Sequence, residues 1–313
     1  MADYVIAGNA AVDKITFADG RSTGFMPGGA TLFALTGIQL WTDSALMCGG
    51  FGADYMEHMG EWLVRNRIDR RGFHVRDPRN PLNYLVYRDS GDWYSYTEYG
   101  NEHYDNLDCD PGKDHLRDFL GGTKGVYCFR GDDLSFFSQM AELRAEFGFH
   151  FMWEIKATIT VPEKLPVIQE ILKGVDAFSI NRREAYQLFQ VTDDEEAIQA
   201  LKNLGPDLVV YRIGSKGLYI IRGEEVLFAP SCQKYTVADV TGCGNSSTAA
   251  AFYAWCEGMD LYGIAAVANI TAAMNLRYQG AMELTPENRQ AAQEEKKLLE
   301  QQYREGTTGA RRL

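Results

Sequence analysis

The chain has 313 residues, 45% apolar and 24% charged, and its 31 basic and 43 acidic side chains leave a net charge of −12. That length suits one large α/β unit, and the composition is that of an ordinary globular protein. The acidic balance speaks against non-specific nucleic-acid binding, which needs basic surface, but leaves room for a local phosphate site that uses Mg²⁺.

The chain opens Met-Ala-Asp-Tyr-Val-Ile, which reads as a strand rather than a signal peptide. No apolar run is long enough to span a bilayer. The expectation is a cytoplasmic protein with neither a membrane nor a nucleic-acid partner. Cys48, Cys109, Cys128, Cys232, Cys243 and Cys256 form no C-x-x-C pair, so reduced thiols are expected.

Continuously apolar runs predict strands at residues 4–8, 45–49, 125–129, 149–153, 177–180, 208–213 and 218–221. Helical patterns fall at 30–41, 55–67, 134–147, 163–173, 182–189 and 195–204. This alternation predicts an α/β fold with a doubly wound, mainly parallel sheet. Ligands of such sheets lie beyond the carboxyl ends of the strands. Between 83 and 99, β-rich runs flank Asp89-Ser90-Gly91-Asp92, a hairpin signal. Its aromatics, with Trp93, Tyr94, Tyr96, Tyr99 and Tyr104, could stack on a sugar or base, or simply pack the hairpin. Residues 286–304 read as a solvated helix with a start at Thr285-Pro286-Glu287, and 306–313 as a frayed tail.

Candidate chemistry sits at the predicted strand ends. Asp13 follows the first strand, where a carboxylate can accept hydrogen bonds from neighbouring sugar hydroxyls; alone, it reads first as a solvated turn. Gly28 and Gly29 precede a helix and let backbone approach a ligand closely. Glu154 ends a strand, where it could act on Mg²⁺ through water or cap a helix. Asn181 and Glu184 share a helical face; they could order Mg²⁺ and its waters, form a capping box, or do both. Gly214-Ser215-Lys216-Gly217 makes a turn between strands. Asp239-Val240-Thr241-Gly242-Cys243-Gly244-Asn245 opens a helix; its glycines could form a nest of amides suited to an anion or, equally when taken alone, a Gly-rich turn that merely starts the helix.

The last heptad resembles the DTxGAGD signature of the ribokinase (PfkB-type) carbohydrate kinases. The motifs occur in that family's order, and the resemblance runs from about Tyr4 to Glu283. It implies a ribokinase-like kinase domain over 1–285, with a small β lid built from about 14–25 and 83–105, followed by a C-terminal helix and tail over 286–313. It implies that Asp13, Gly28 and Gly29 hold the acceptor, with Phe33 where the family carries a substrate-binding Asn. Gly214 and Gly217 would flank the nucleotide, and Asn181 and Glu184 would order Mg²⁺. The amides of Gly242, Cys243 and Gly244 would stabilise the transferring phosphoryl group. Asp239 and Thr241 match positions associated with a monovalent cation, although Val240 replaces a Thr, so K⁺ stays open. Asn245 stands where the family has its catalytic Asp, as in a divergent branch. An amide accepts no proton at neutral pH.

The expected activity is ATP- and Mg²⁺-dependent phosphorylation of a hydroxyl on a sugar, cyclitol or nucleoside. The rival is a pseudokinase that senses nucleotide or sugar, or assists assembly. A further option makes Glu154 or Asp239 the base. The family also suggests a homodimer through the lid.

Overall fold

The computed structural model describes residues 1–89, 93–104 and 111–313, with Trp93 and Tyr104 as backbone only. The predicted turn at 90–92 and Cys109 lie outside the described residues. In chain order the strands are β1 (Tyr4–Ala7), β2 (Ala11–Thr16), β3 (Met26–Gly28), β4 (Ala45–Gly52), β5 (Phe73–Asp77), β6 (Leu82–Tyr87), β7 (Trp93–Thr97), β8 (Gly125–Arg130), β9 (His150–Ile155), β10 (Ala177–Asn181), β11 (Leu208–Arg212), β12 (Leu218–Arg222), β13 (Glu225–Ala229) and β14 (Arg311–Arg312). The helices are α1 (Ala30–Gln39), α2 (Tyr55–Arg65), α3 (Asn101–Tyr104), α4 (Lys113–Arg117), α5 (Leu134–Phe147), α6 (Leu165–Leu172), α7 (Arg182–Phe189), α8 (Asp194–Lys202), α9 (Cys243–Cys256), α10 (Leu261–Asn275) and α11 (Pro286–Glu305).

A 10-stranded sheet has the order β14-β13-β12-β11-β10-β9-β8-β1-β4-β5. Neighbours from β5 to β11 run parallel, and β12, β13 and β14 add antiparallel pairs at one edge. Successive residues of β1 enter opposite core layers, Tyr4 and Ile6 into one, Val5 and Ala7 into the other. Both faces are therefore covered, which is why these strands read as unbroken apolar runs. One layer holds α1, α2, α9, α10 and α11; the other holds α4 to α8. α1 lies so close to α9 that a Cβ on Gly37 would overlap the Ser246 carbonyl.

A second, 4-stranded sheet has the order β3-β2-β6-β7. It begins directly after β1. Its first strand starts at Ala11, ahead of the piece at 14–25 expected from sequence, and β3 closes it. Other departures have physical causes. α10 shows no polar face because almost all of it is buried, so it carries no amphipathic period to read. α11 is not a wholly solvated helix: Asn288, Ala292, Leu299 and Tyr303 form a narrow buried stripe in a polar sequence. The Tyr303 hydroxyl donates to Pro230 O at 2.6 Å and accepts from Asn269 Nδ2 at 2.7 Å. The tail expected to fray instead pairs with β13. Arg311 lies 4.8 Å over the Phe228 ring, and Arg312 meets Glu225 at 2.9 Å. Among the described residues, no helix is long and apolar enough to cross a membrane.

Candidate active site

The glycine nest begins where α9 begins. Gly242 is the N-cap, with φ +75°, and a Cβ there would overlap the buried Phe33 ring. Left-handed backbone and an aromatic floor both select glycine. The Cys243 amide turns back on Val240 O at 3.3 Å, and Ser246 N reaches Gly242 O at 2.9 Å. Among the described residues no protein acceptor meets the amides of Gly242, Gly244 or Asn245. The open set is thus shifted from the Gly242, Cys243 and Gly244 amides that the sequence suggested. The Cys243 thiol points away, toward Ala272 O and Asn275 Nδ2, and burial pushes it up to about 12. Cys243 is therefore a neutral packing group at physiological pH.

A hydrogen-bond chain holds the loop before the nest. Buried Asp239 accepts from Thr241 N at 3.0 Å and Thr241 Oγ1 at 2.8 Å through Oδ1, and from Gly280 N at 3.4 Å through Oδ2. The Thr241 hydroxyl spends its proton on Asp239, so the Tyr87 hydroxyl donates to it at 2.9 Å. β6 of the small sheet is thereby tied to the nest loop. Asn275 Nδ2 donates to Thr241 O at 2.9 Å.

Asp13 sits at the junction of the two sheets and is almost fully buried. Its Oδ2 accepts from Gly29 N at 3.2 Å and its Oδ1 from Asn83 Nδ2 at 3.1 Å. Burial lifts its carboxyl to about 6; the bonds from Asn83 and Gly29 oppose the rise, and the charge of Asp239 adds to it. Asp13 is no solvated turn residue. A carboxylate held by neutral donors in a buried junction keeps unused lone pairs for a polyhydroxy ligand.

The Asn245 position holds a network that the motifs did not announce. Asn245 Nδ2 donates to Glu154 Oε1 at 3.0 Å. Arg212 Nη2 reaches the same oxygen at 2.9 Å, and the Tyr127 hydroxyl donates to Glu154 Oε2 at 2.6 Å. Glu154 is 1% exposed and caps no helix. Burial raises Tyr127 well above the usual phenol range, with the Glu154 charge adding to it, so Tyr127 remains a donor. Arg212 Nε donates to Ser179 Oγ at 3.1 Å. The amide at 245 thus faces a carboxylate with its nitrogen, and its Oδ1 is turned away from that contact.

A cleft of about 1050 Å³ opens beside the nest, lined by Asn181, Arg183, Tyr186, Arg212, Gly214, Gly244 and Asn245 among others. Asn181 and Glu184 form a full capping box on α7: Asn181 Oδ1 accepts from Glu184 N at 3.0 Å, and Asn181 N donates to Glu184 Oε2 at 2.8 Å. Burial raises the Glu184 carboxyl, while Arg212, with Nη2 at 4.0 Å, pulls it back. Gly214 lines the cleft; Gly217 instead packs against the Ala229 carbonyl.

The model of the pfkB family of carbohydrate kinases matches residues 2–288. The chain belongs to the pfkB family. It is 32% identical over 120 residues to an uncharacterized sugar kinase of Archaeoglobus fulgidus, and it spans about half the length of that relative, 47%, and 38% of its own. An E. coli structure assigned as a ribokinase II, in complex with ATP and Mg²⁺, superposes with a TM-score of 0.76 at 16% identity, covering 94% of this chain and 99% of that one. Arabidopsis thaliana ribokinase complexed with ribose and ATP superposes with a TM-score of 0.73 at 18% identity, covering 95% and 99%. At those identities the likeness speaks for the fold.

In this pfkB protein Phe33 lies beneath Gly242 of the nest, Gly244 and Asn245 line the cleft, and Asp13, bonded to Gly29 and Asn83, sits on the small sheet that Tyr87 ties to the nest loop. Sequence reasoning missed Asn83, Tyr87, Tyr127, Arg212 and Asn275. Arg212 did leave a signal: it is a lone cation closing the apolar run Leu-Val-Val-Tyr-Arg at a carboxyl strand end. The others were typical strand or helix residues, and only the fold makes them neighbours.

Proposed function

We propose that this chain transfers the γ-phosphoryl group of ATP to a hydroxyl of a sugar, cyclitol or nucleoside. The observation that carries the reading is the set of partnerless amides at the head of α9, beside a large cleft. Asp13 would accept hydrogen bonds from acceptor hydroxyls. The amides of Gly242 and Gly244 would stabilise negative charge on the transferring group. Asn245 Oδ1 would orient the attacking hydroxyl, which keeps its proton until late and passes it to the phosphoryl oxygen. Phosphoryl transfer is chiefly positioning and electrostatics, so it can proceed without a carboxylate base, more slowly.

Mg²⁺ would neutralise phosphate charge. Asn181 and Glu184 would order the metal through its waters, since Mg²⁺ keeps most of them. Among the described residues there is no cluster of three or more His, Cys, Asp or Glu able to cage a metal, consistent with a metal carried on the nucleotide.

K⁺ fits less well. Asp239 and Thr241 O already take internal donors, Asn275 Nδ2 among them. Asn275 Oδ1 is the buried oxygen left over. Turnover is expected to be the same in potassium as in sodium or Tris buffers. Asn275→Ala, which frees Thr241 O, is expected to make both turnover and melting temperature respond to K⁺. A wild type that already depends on K⁺ would overturn this.

The small sheet would act as a lid. Exposed Tyr94 and Tyr96 on β7, with exposed Phe25 just before β3, support pairing of two copies through that surface, which sedimentation would read as a dimer.

The test of function is a coupled ADP-release assay over a panel of sugars, cyclitols and nucleosides, run beside nucleotide binding by calorimetry. Acceptor-dependent ADP release well above the background supports the kinase. MgATP binding with no release across the panel favours the pseudokinase. No binding of MgATP at all removes both.

A further inference from the structure

We propose that Arg212 is a catalytic residue, a fixed cation that contacts the transferring phosphoryl group at Gly244. This inference rests on the kinase reading above.

The guanidinium lies directly on the nest: a Cβ on Gly244 would overlap Arg212 Nη1. Nη1 thus lies beside Gly244, and both residues line the cleft. The other two nitrogens of the guanidinium are each engaged. Nε is held by Ser179 Oγ at 3.1 Å, and that hydroxyl is itself fixed against Thr248 Oγ1 at 2.9 Å and Val210 O at 3.1 Å. Nη2 is held by Glu154 Oε1 at 2.9 Å. Among the described residues no protein acceptor meets Nη1. A guanidinium locked on two sides, with its third edge turned toward free amides, is preorganised to receive an oxyanion.

The bland account is that Arg212 only neutralises buried Glu154. That accounts for Nη2 but not for the placement of Nη1. Asn245 supplies the complementary argument. With no carboxylate to take the acceptor's proton, the stabilisation left to the protein is of charge on the phosphoryl group. A cation at that group adds to what the amides supply. In the step, the acceptor oxygen bonds to the γ-phosphorus as its bond to the β–γ bridging oxygen breaks, and ADP leaves with that electron pair. The hydroxyl proton ends on the transferred phosphate, and Arg212 stays protonated. Glu154 is then a positioning residue that aims both Arg212 and Asn245.

The test compares wild type, Glu154→Gln, Arg212→Met and the Glu154→Gln/Arg212→Met pair. Arg212→Met alone strands a buried carboxylate and can fail to fold; the pair removes both charges. Thermal melts confirm that each comparison is between folded proteins. The pair is expected to turn over roughly 10³-fold slower than Glu154→Gln, in the range seen for phosphoryl-site arginines. The binding arm needs no acceptor. Relative to Glu154→Gln, the pair should bind MgATP about 10- to 100-fold more weakly, the worth of one charge-assisted hydrogen bond, while MgADP binding stays unchanged. Equal turnover in the pair and in Glu154→Gln would overturn the proposal, leaving Arg212 as a counter-ion. Equal weakening of MgATP and MgADP would also overturn it, making Arg212 a general nucleotide contact. A wild type that binds neither nucleotide would instead remove the kinase reading on which it rests.

Discussion

Asn245→Asp alone is expected to leave turnover low, whereas Asn245→Asp combined with Glu154→Gln should exceed wild type by about 10²–10⁴-fold, the usual contribution of a positioned base. The reason is Glu154. Asn245 Nδ2 stands 3.0 Å from Glu154 Oε1, so an aspartate at 245 would set a carboxylate against a carboxylate. Like charges sharing one site do not both ionise, and the pair retains a proton near neutral pH. The new Asp would be bound to Glu154 through that proton rather than poised for the acceptor. Gln at 154 keeps the shape and returns an amide donor, so the double variant exchanges which residue carries the carboxylate. ADP release measured from pH 6 to 9 checks this. The single variant should gain activity as pH rises, and the double variant should already be active at pH 7. Full activity in the single variant at pH 7 would mean that Glu154 and residue 245 are not coupled.

Asp13→Asn is expected to lose acceptor use and, at the same time, to change how stability depends on pH. The carboxylate accepts from Gly29 N and Asn83 Nδ2 in a buried junction. Asn would present a donor to one of those donors and weaken acceptor hydrogen bonds, by about 10- to 100-fold in kcat/KM for charge-assisted bonds. The stability effect follows from the raised carboxyl. Its folded value of about 6 lies above the ordinary aspartate value of 3.8, so between those pH values the folded protein binds more protons than the unfolded chain. Asp13's contribution to stability is therefore present below about pH 4 and lost as pH rises through about 6, by up to about 3 kcal/mol. Urea denaturation of wild type and Asp13→Asn from pH 4 to 8 reads the difference. The variant should gain on wild type across that window and hold its gain above it. Parallel curves would show that Asp13 is not desolvated as the geometry has it.

Much of the architecture was legible because the sheet is covered on both faces. Unbroken apolar runs marked β1, β4, β8, β9, β10, β11 and β12 to within a few residues, and α5 and α7 matched their predicted spans. α10 was hidden by burial on all sides, and β2 and β3 by their brevity and by a pairing that only the tertiary fold supplies. The site divides in the same way. Local chemistry announced Asp13, the paired glycines, the capping box and the nest, since each needs particular residues at short spacing. The Glu154, Arg212, Tyr127 and Asn245 network joins β9, β11, β8 and α9, which are far apart in sequence. No local spacing encodes such a meeting. Asn245 read as a lost base when taken alone; beside Glu154 it is one half of an amide–carboxylate pair.

The contact of Gly37 with Ser246 has a consequence for how such a protein can diversify. α1 follows Gly28 and Gly29, the glycines proposed to hold the acceptor, and α9 begins with the nest. Where these helices touch backbone to backbone, the two proposed binding seats would be a single rigid casting. Acceptors of different size cannot be accommodated by spreading that seam without misaligning the transfer. They must be accommodated from the small sheet, whose strands are short and whose tie to the nest loop runs through Tyr87. Drift in the small sheet would then change which molecule is admitted, whereas drift along the seam would extinguish the reaction for all of them.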